Sequence, residues 1–183
     1  MCFPFKKLDG ELPFPEEKPD YKRNVGNTNL ASTIMVFFVK YEVPEKNWDF
    51  FNGVRENIQD TEEMLVELDG SLFYLTPDGQ VVLIPAGTVS QLRLMKIRPE
   101  FTLPGIYGHE FCHPLWDMLT DDEEIEFQTK FNELRLIERS LLKKAWDLKP
   151  YMRTTIVEAH ADTYRYLGKY MPNELKPYYT MLF

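Results

Sequence analysis

Two turn signals in the middle of the chain constrain its fold more than any other feature. Residues 69–70 (Asp-Gly) separate the apolar runs "EMLVEL" and "SLFYL", and residues 76–79 (Thr-Pro-Asp-Gly) separate "SLFYL" from "QVVLIP". Asp-Gly between apolar runs is typical of tight hairpins, and Pro-Asp-Gly favours a turn because proline and glycine supply the required dihedral angles. The spacing predicts three short antiparallel strands, with the run "TVSQLRLMKI" as a candidate fourth.

The last third of the chain has helical periodicity instead. Thr120 followed by Glu123 matches a capping box, and an apolar face continues at positions 127, 131, 134, 137, 141, 145 and 148. This pattern predicts one helix of about seven turns. A second helix is predicted over residues 153–172, ending near Gly168. Strands early and helices late predict an α+β fold, in which a small antiparallel-rich sheet is followed by a helical half.

The first 30 residues contain four prolines and little periodicity, which predicts an extended arm (1–30) followed by one domain (31–183). The segment "STIMVFFVKYEV" favours a buried strand, although periodicity alone leaves a helix open. After Pro44, the apolar residues Trp48, Phe51 and Val54 have helical spacing, so a short helix is predicted there.

Charge and composition exclude several classes of function. The net charge is −8, so the broad basic surface of a nucleic-acid-binding protein is absent. The longest apolar run, "IMVFFV", is too short to span a bilayer, and the N-terminus lacks the apolar core of a secretory signal. The only cysteines are Cys2 and Cys112, which indicates a reducing compartment. We therefore expect a cytoplasmic protein without nucleic-acid or membrane partners.

The stretch "GHEFCHPL" contains the pattern H-E-x-x-H, with His109, Glu110 and His113. Residues four apart on a helix share a face, so both imidazoles can point at one metal ion. Zinc accepts such nitrogens and prefers four ligands, and the glutamate of this motif acts as base to a zinc-bound water. Pro114 predicts that the helix kinks or ends beside His113.

A third ligand is needed for a catalytic site. Metzincins would have glycine at position 116 and histidine at position 119, but the residues there are Trp116 and Leu119, so that class is excluded. The remaining choice is a carboxylate from a later helix. Glu158 and Asp162 form E-x-x-x-D on one helical face and are the only such pair after His113.

These two motifs together resemble those of the gluzincin metallopeptidases. The text "EAHADTYRYLGKYMP" is most similar to the small ImmA/IrrE-type peptidases, whose second motif runs towards a terminal Met-Pro, here residues 171–172. The resemblance covers the two motif helices, about a quarter of the chain. It implies zinc as cofactor, with His109, His113 and Glu158 as ligands, Glu110 as general base and Asp162 as the carboxylate that orients a ligand histidine.

The same resemblance implies hydrolysis of a peptide bond by a zinc-bound water whose pKa is lowered to about 7. It further implies that a peptide or protein substrate pairs with a sheet edge in residues 80–97. Tyr107, Tyr151, Tyr164 and His160 are candidate hydrogen-bond donors to the transition state.

Three alternatives stay open. His160 rivals Glu158 as third ligand, but residues two apart on a helix point to nearly opposite sides, so only one can serve. His109 and His113 are also compatible with a metal-free structural pair. A zinc-stabilised binding or regulatory protein without turnover is the alternative function, and Glu110→Gln separates it from a peptidase.

Overall fold

The computed structural model describes residues 11–18, 30–55, 73–75, 81–83, 86–89, 94–97, 101 and 103–183. The α-helices are α1 (Leu30–Lys40), α2 (Trp48–Arg55), α3 (Pro104–Trp116), α4 (Asp121–Leu134), α5 (Leu141–Leu148) and α6 (Ile156–Leu167). The strands are β1 (Phe73–Leu75), β2 (Val81–Leu83), β3 (Ala86–Val89) and β4 (Leu94–Ile97). Short 3₁₀ helices cover Glu45–Asn47, Pro150–Arg153, Gly168–Tyr170 and Lys176–Tyr178.

The prediction of an α+β fold with an antiparallel-rich sheet was wrong. Of the residues whose side chains are also described, 67% are helical and none belongs to a strand. The strands form two separate antiparallel pairs, β1 with β2 and β3 with β4. Among the described residues, these strands pair only two by two, and β3 and β4 contact helices α3 and α2. The predicted strand at 63–68 and both predicted turns lie outside the described residues.

The predicted strand over residues 32–43 was also wrong, because most of this segment forms helix α1. Ile34, Phe37, Phe38 and Tyr41 are buried, whereas the apolar residues between them, at positions 35, 36 and 39, are exposed. This burial pattern has the helical period of 3.6 residues. The predicted helix after Pro44 is confirmed as α2, in which Phe51 is fully buried.

The predicted long helix is interrupted. Its start is confirmed, since Thr120 and Glu123 form both bonds of a capping box. However, α4 ends at Leu134, Arg139 has a left-handed backbone (φ 62°), and the Ser140 hydroxyl accepts a hydrogen bond from the Lys143 amide to start α5. The predicted apolar face therefore fails in places, and Ile137 is 52% exposed.

Helices α3 and α6 form the centre of the described structure and pack against each other, and α1 packs on α3. A Cβ at Gly108 would lie 3.3 Å from Phe37 and 3.5 Å from Tyr164, so glycine lets these helices approach closely. Helix α3 continues through Pro114 to Trp116, which places the proline in its last turn. Helix α6 ends at Gly168 (φ 49°), as predicted.

Among the described helices, none combines the length and the apolar character that a bilayer crossing requires. Residues 11–18 of the predicted arm lie on the body of the protein, with Leu12 buried. Residues 1–10 and 19–29 of the predicted arm, including Cys2, lie outside the described residues.

Candidate metal centre

Helix α3 presents His109 and His113 one turn apart on the same face. Their ring centroids lie 5.1 Å apart. His109 is buried and His113 is half-buried, so the pair sits at the edge of the core with one side reachable from solvent. Helical spacing alone produces this arrangement, because residues i and i+4 are neighbours on the helix surface.

Helix α6 brings Glu158 to the two histidines. Its Oε2 atom lies 3.0 Å from Nε2 of His109 and 3.9 Å from Nε2 of His113. Two atoms bound to one tetrahedral zinc ion, each at about 2.0–2.1 Å, lie roughly 3.3 Å from each other. The two distances of Glu158 Oε2 from the histidine nitrogens therefore lie near the spacing expected for atoms that share one ion. The Thr155 hydroxyl accepts a hydrogen bond from the Glu158 amide (3.1 Å) and so fixes the start of this helix.

Asp162, one turn further along α6, contacts the other ring nitrogen of His109. Its Oδ1 atom lies 2.6 Å from Nδ1 of His109, and the carboxylate is almost fully buried. A carboxylate accepts only, so Nδ1 carries the proton and donates it. In neutral His109 the Nε2 lone pair then faces Glu158. Two electron-rich atoms 3.0 Å apart repel each other, so this geometry calls for a cation between them.

In the absence of a metal ion, a proton is the cation at His109. Burial alone lowers the pKa of this imidazole, but the carboxylates of Asp162 and Glu158 outweigh burial and raise it to about 10. Burial likewise raises the pKa of Glu158, and the neighbouring His109 outweighs it, so the pKa of this carboxyl is lowered. Glu158 Oε2 is buried and accepts no well-oriented hydrogen bond despite its closeness to Nε2. An oxygen in this position suits a metal ion.

Glu110 belongs to the same buried group. Donor atoms of His109, Glu110 and His113 all lie within 4.8 Å of one another, so these residues could hold a metal ion. Glu110 Oε1 is 4.0 Å from Nε2 of His109, a full ångström further than Glu158 Oε2. Of the two glutamates, Glu158 thus matches the expected ligand spacing better, and Glu110 lies beside the site. The geometry does not identify the metal.

The candidate tyrosines occupy different places. Tyr151, on the 3₁₀ helix before α6, is 47% exposed and hydrogen bonds with Glu158. Its ring centroid is 6.0 Å from that of His109. Tyr107 and Tyr164 are fully buried, and Tyr164 packs in the aromatic core against Phe37. Of the three, Tyr151 is the one at the rim of the metal centre.

His160 points away from this centre into the aromatic core. It is fully buried, its ring is stacked on Tyr179 at 4.0 Å, and its Nε2 donates to the backbone carbonyl of Tyr178 at 2.9 Å. Burial lowers the pKa of His160 to about 3, so the ring is neutral. The other face of α6, with Glu158 and Asp162, is the face that meets the histidines of α3.

Sequence reasoning missed two polar residues near the site. The Arg165 guanidinium lies 4.0 Å from Asp162 Oδ1, a spacing that the i, i+3 relation on one helix could have indicated. Glu17 accepts a hydrogen bond from the Gly105 amide at the start of α3, at 2.6 Å. No local sequence pattern indicates this contact, because it joins positions 88 residues apart.

Comparison of the chain with known protein families, with curated proteins and with solved structures finds no match.

Proposed function

We propose that this protein is a zinc-dependent peptidase whose metal is held by His109, His113 and Glu158. One observation supports this proposal most: a buried carboxylate oxygen of Glu158 faces the Nε2 atoms of both motif histidines at 3.0 and 3.9 Å without a well-oriented hydrogen bond. Two imidazoles and one carboxylate are a ligand set typical of catalytic zinc sites, which leave a further position open.

Zinc suits this donor set, and a bound zinc ion supplies Lewis-acid chemistry that polarises a carbonyl and acidifies water. The residues around it have separate tasks. Asp162 holds the proton on Nδ1 of His109 and so keeps Nε2 free to bind. Tyr151 hydrogen bonds with Glu158 from the exposed rim, where its hydroxyl is within reach of a substrate.

Glu110 is the proposed general base. Its carboxylate is buried and lies 4.0 Å from His109 Nε2. In peptide hydrolysis it takes a proton from the attacking water and returns that proton to the leaving nitrogen, so the carboxylate is regenerated in each cycle. The proposed substrate is a peptide or protein, as the resemblance of the two motifs to gluzincin peptidases implies, and a net charge of −8 disfavours acidic polymers such as nucleic acids.

The test compares wild type with Glu110→Gln, using Glu133→Gln, an exposed glutamate of α4, as the matched control. Elemental analysis of all three proteins should find one zinc ion per chain. Digestion of a peptide library should show that Glu110→Gln loses about 10²–10⁴-fold in turnover, the usual contribution of a general base, whereas the control keeps the wild-type rate.

Two results contradict the peptidase proposal. A wild-type protein that holds zinc and cleaves no peptide in the library would indicate the alternative function, a zinc-stabilised binding or regulatory protein. A wild-type protein without zinc would indicate that the His109–His113 pair is a metal-free structural feature.

A further inference from the structure

Residues 11–18, here called the strap, connect the two helices that carry the candidate metal ligands. The Phe14 amide donates to the Tyr166 carbonyl of α6 at 3.1 Å, and the Phe14 ring stacks on Tyr41 with centroids 4.3 Å apart. Phe14 also lies so close to Gly168 that a Cβ there would clash with its ring. The strap is therefore held against the C-terminal end of α6.

Three residues after Phe14, Glu17 caps the start of α3. Its Oε1 atom accepts a hydrogen bond from the Gly105 amide at 2.6 Å. The first amides of a helix have no partner within it, and the N-cap residue Leu103 has no side-chain acceptor to supply one. A carboxylate at this end also interacts favourably with the helix dipole. Glu17 thus provides from outside the helix the cap that the local sequence lacks.

This cap lies one helical turn from the metal centre, since Gly105 precedes His109 by four residues. The strap fixes Phe14 to α6 and Glu17 to α3, so it sets where His109 and His113 stand relative to Glu158. We propose that Glu17 is a positioning residue for the metal centre. This inference rests on the proposed metal site but not on peptide turnover.

The neighbouring glutamate provides a matched control. Glu16 Oε2 pairs with Lys149 Nζ at 2.8 Å, and its side chain is 61% exposed. Lys149 belongs neither to α3 nor to α6. Glu16 and Glu17 share residue type, charge and strap, but only Glu17 bonds with a motif helix. Glu17 also pairs with Lys40 Nζ of α1 at 3.3 Å, and Glu17→Gln removes the charge of that pair while it keeps an acceptor for the Gly105 amide.

The experiment measures the zinc dissociation constant by chelator competition, well below the unfolding temperature of each variant. Glu17→Ala should bind zinc about tenfold more weakly, because the apparent affinity falls with the fraction of protein whose binding site is assembled. Glu17→Gln should stay within about twofold of wild type, since its amide oxygen still accepts from Gly105. Glu16→Ala should stay within about twofold as well.

Gly105→Ala is a second variant that leaves Glu17 in place. The added Cβ would lie 2.6 Å from Glu17 Oε1, so the carboxylate must shift, which weakens its bond to the Gly105 amide. Alanine favours a helix more than glycine does, so an effect of helix propensity alone would strengthen the site. We expect about fivefold weaker zinc binding, opposite in direction to the effect of propensity.

Zinc affinity distinguishes positioning from general stabilisation. If Glu17→Ala lowers the unfolding temperature but binds zinc as wild type does, Glu17 is only structural and the inference is overturned. It is also overturned if Glu16→Ala loses as much affinity as Glu17→Ala. A wild-type protein that binds zinc without cleaving peptides contradicts the peptidase proposal alone, whereas one that binds no zinc overturns both.

Discussion

Two buried histidines, His109 and His160, occupy opposite electrostatic environments within one small protein. His109 contacts the carboxylates of Asp162 and Glu158, and the pKa of its ring is raised to about 10. His160 contacts one backbone carbonyl and a stacked ring, Tyr179, and burial lowers its pKa to about 3. The comparison shows that the contacts of a buried histidine decide whether its ring favours a bound cation or packs as a neutral residue of the core.

Both environments are created by the same helix. On α6, Glu158 and Asp162 face the histidines of α3, whereas His160 and Tyr164 pack among the aromatic rings of the core. A helix places residues two apart on nearly opposite sides, so a metal face and a packing face can alternate along one segment. Substitutions on the two faces should therefore have separable effects on metal binding and on stability.

The largest expected effect is that of Glu158→Gln on metal binding. Loss of a ligand carboxylate should weaken zinc binding by more than the 10–100-fold typical of outer partners. His160→Gln, on the other face of the helix, should bind zinc within about twofold of wild type. Chelator competition measures both constants. Equal affinities in the two variants would show that Glu158 is not a ligand.

Asp162→Asn should have the next largest effect. The amide keeps the size of the side chain but removes the charge that orients His109, which should weaken zinc binding about 10–100-fold. Thr163→Val is the control, because the adjacent Thr163 hydroxyl donates to the Ala159 carbonyl at 2.6 Å and also bonds with Tyr179 in the core. If isothermal titration found wild-type affinity in Asp162→Asn, the proposed orienting role would be wrong.

The pH dependence of the unfolding free energy should report on His160, which lies on the packing face of α6. The pKa of His160 is about 3 in the folded protein, below its ordinary value of 6.5, so the unfolded chain binds the proton first as the pH falls. The contribution of His160 is fully present above pH 6.5 and declines towards pH 3. Relative to His160→Gln, wild type should lose about 2 kcal/mol of unfolding free energy between pH 8 and pH 5.

Urea unfolding of both metal-free proteins at the two pH values measures this difference. The variant is the necessary reference, since His109 titrates with the opposite sign: its pKa is raised on folding, so its contribution is largest at low pH and declines as the pH rises towards 10. Parallel pH profiles for wild type and His160→Gln would contradict the burial of a neutral ring.

Tyr179→Phe should have the smallest effect. Its hydroxyl donates to the His160 carbonyl at 2.8 Å inside the core, and one such bond contributes about 1 kcal/mol. Denaturant unfolding should detect this loss, while zinc affinity should stay unchanged. A change in zinc affinity would mean that the two faces of α6 are coupled.

The metal centre was more predictable than the fold because its residues follow local helical spacing. His109 and His113, like Glu158 and Asp162, are four apart, and the caps at Thr120 and Gly168 mark helix ends in the sequence itself. Only the contact between α3 and α6 depends on tertiary structure, and the need for a third metal ligand suggested it. Their roles as ligands, base and orienting carboxylate stay predictions.

The missed parts have equally specific causes. In α1, exposed Met35, Val36 and Val39 conceal the helical period of the buried residues, so the run reads as an apolar strand. Between α4 and α5, apolar residues such as Ile137 maintain the period through a turn that Arg139 and Ser140 create. The Glu17 cap depends on a contact across 88 positions, which no periodicity reports.

The long sequence separation between the motif helices has a consequence for biosynthesis. His109 and Asp162 stand 53 positions apart, so the ribosome delivers α3 well before α6. A nascent chain at that stage offers two imidazoles but neither Glu158 nor Asp162, and contacts this distant in sequence form late because loop closure must come first. If Glu158 is a ligand, as proposed, the complete ligand set exists only in the finished fold, whereas the emerging helix α3 offers His109, Glu110 and His113 alone.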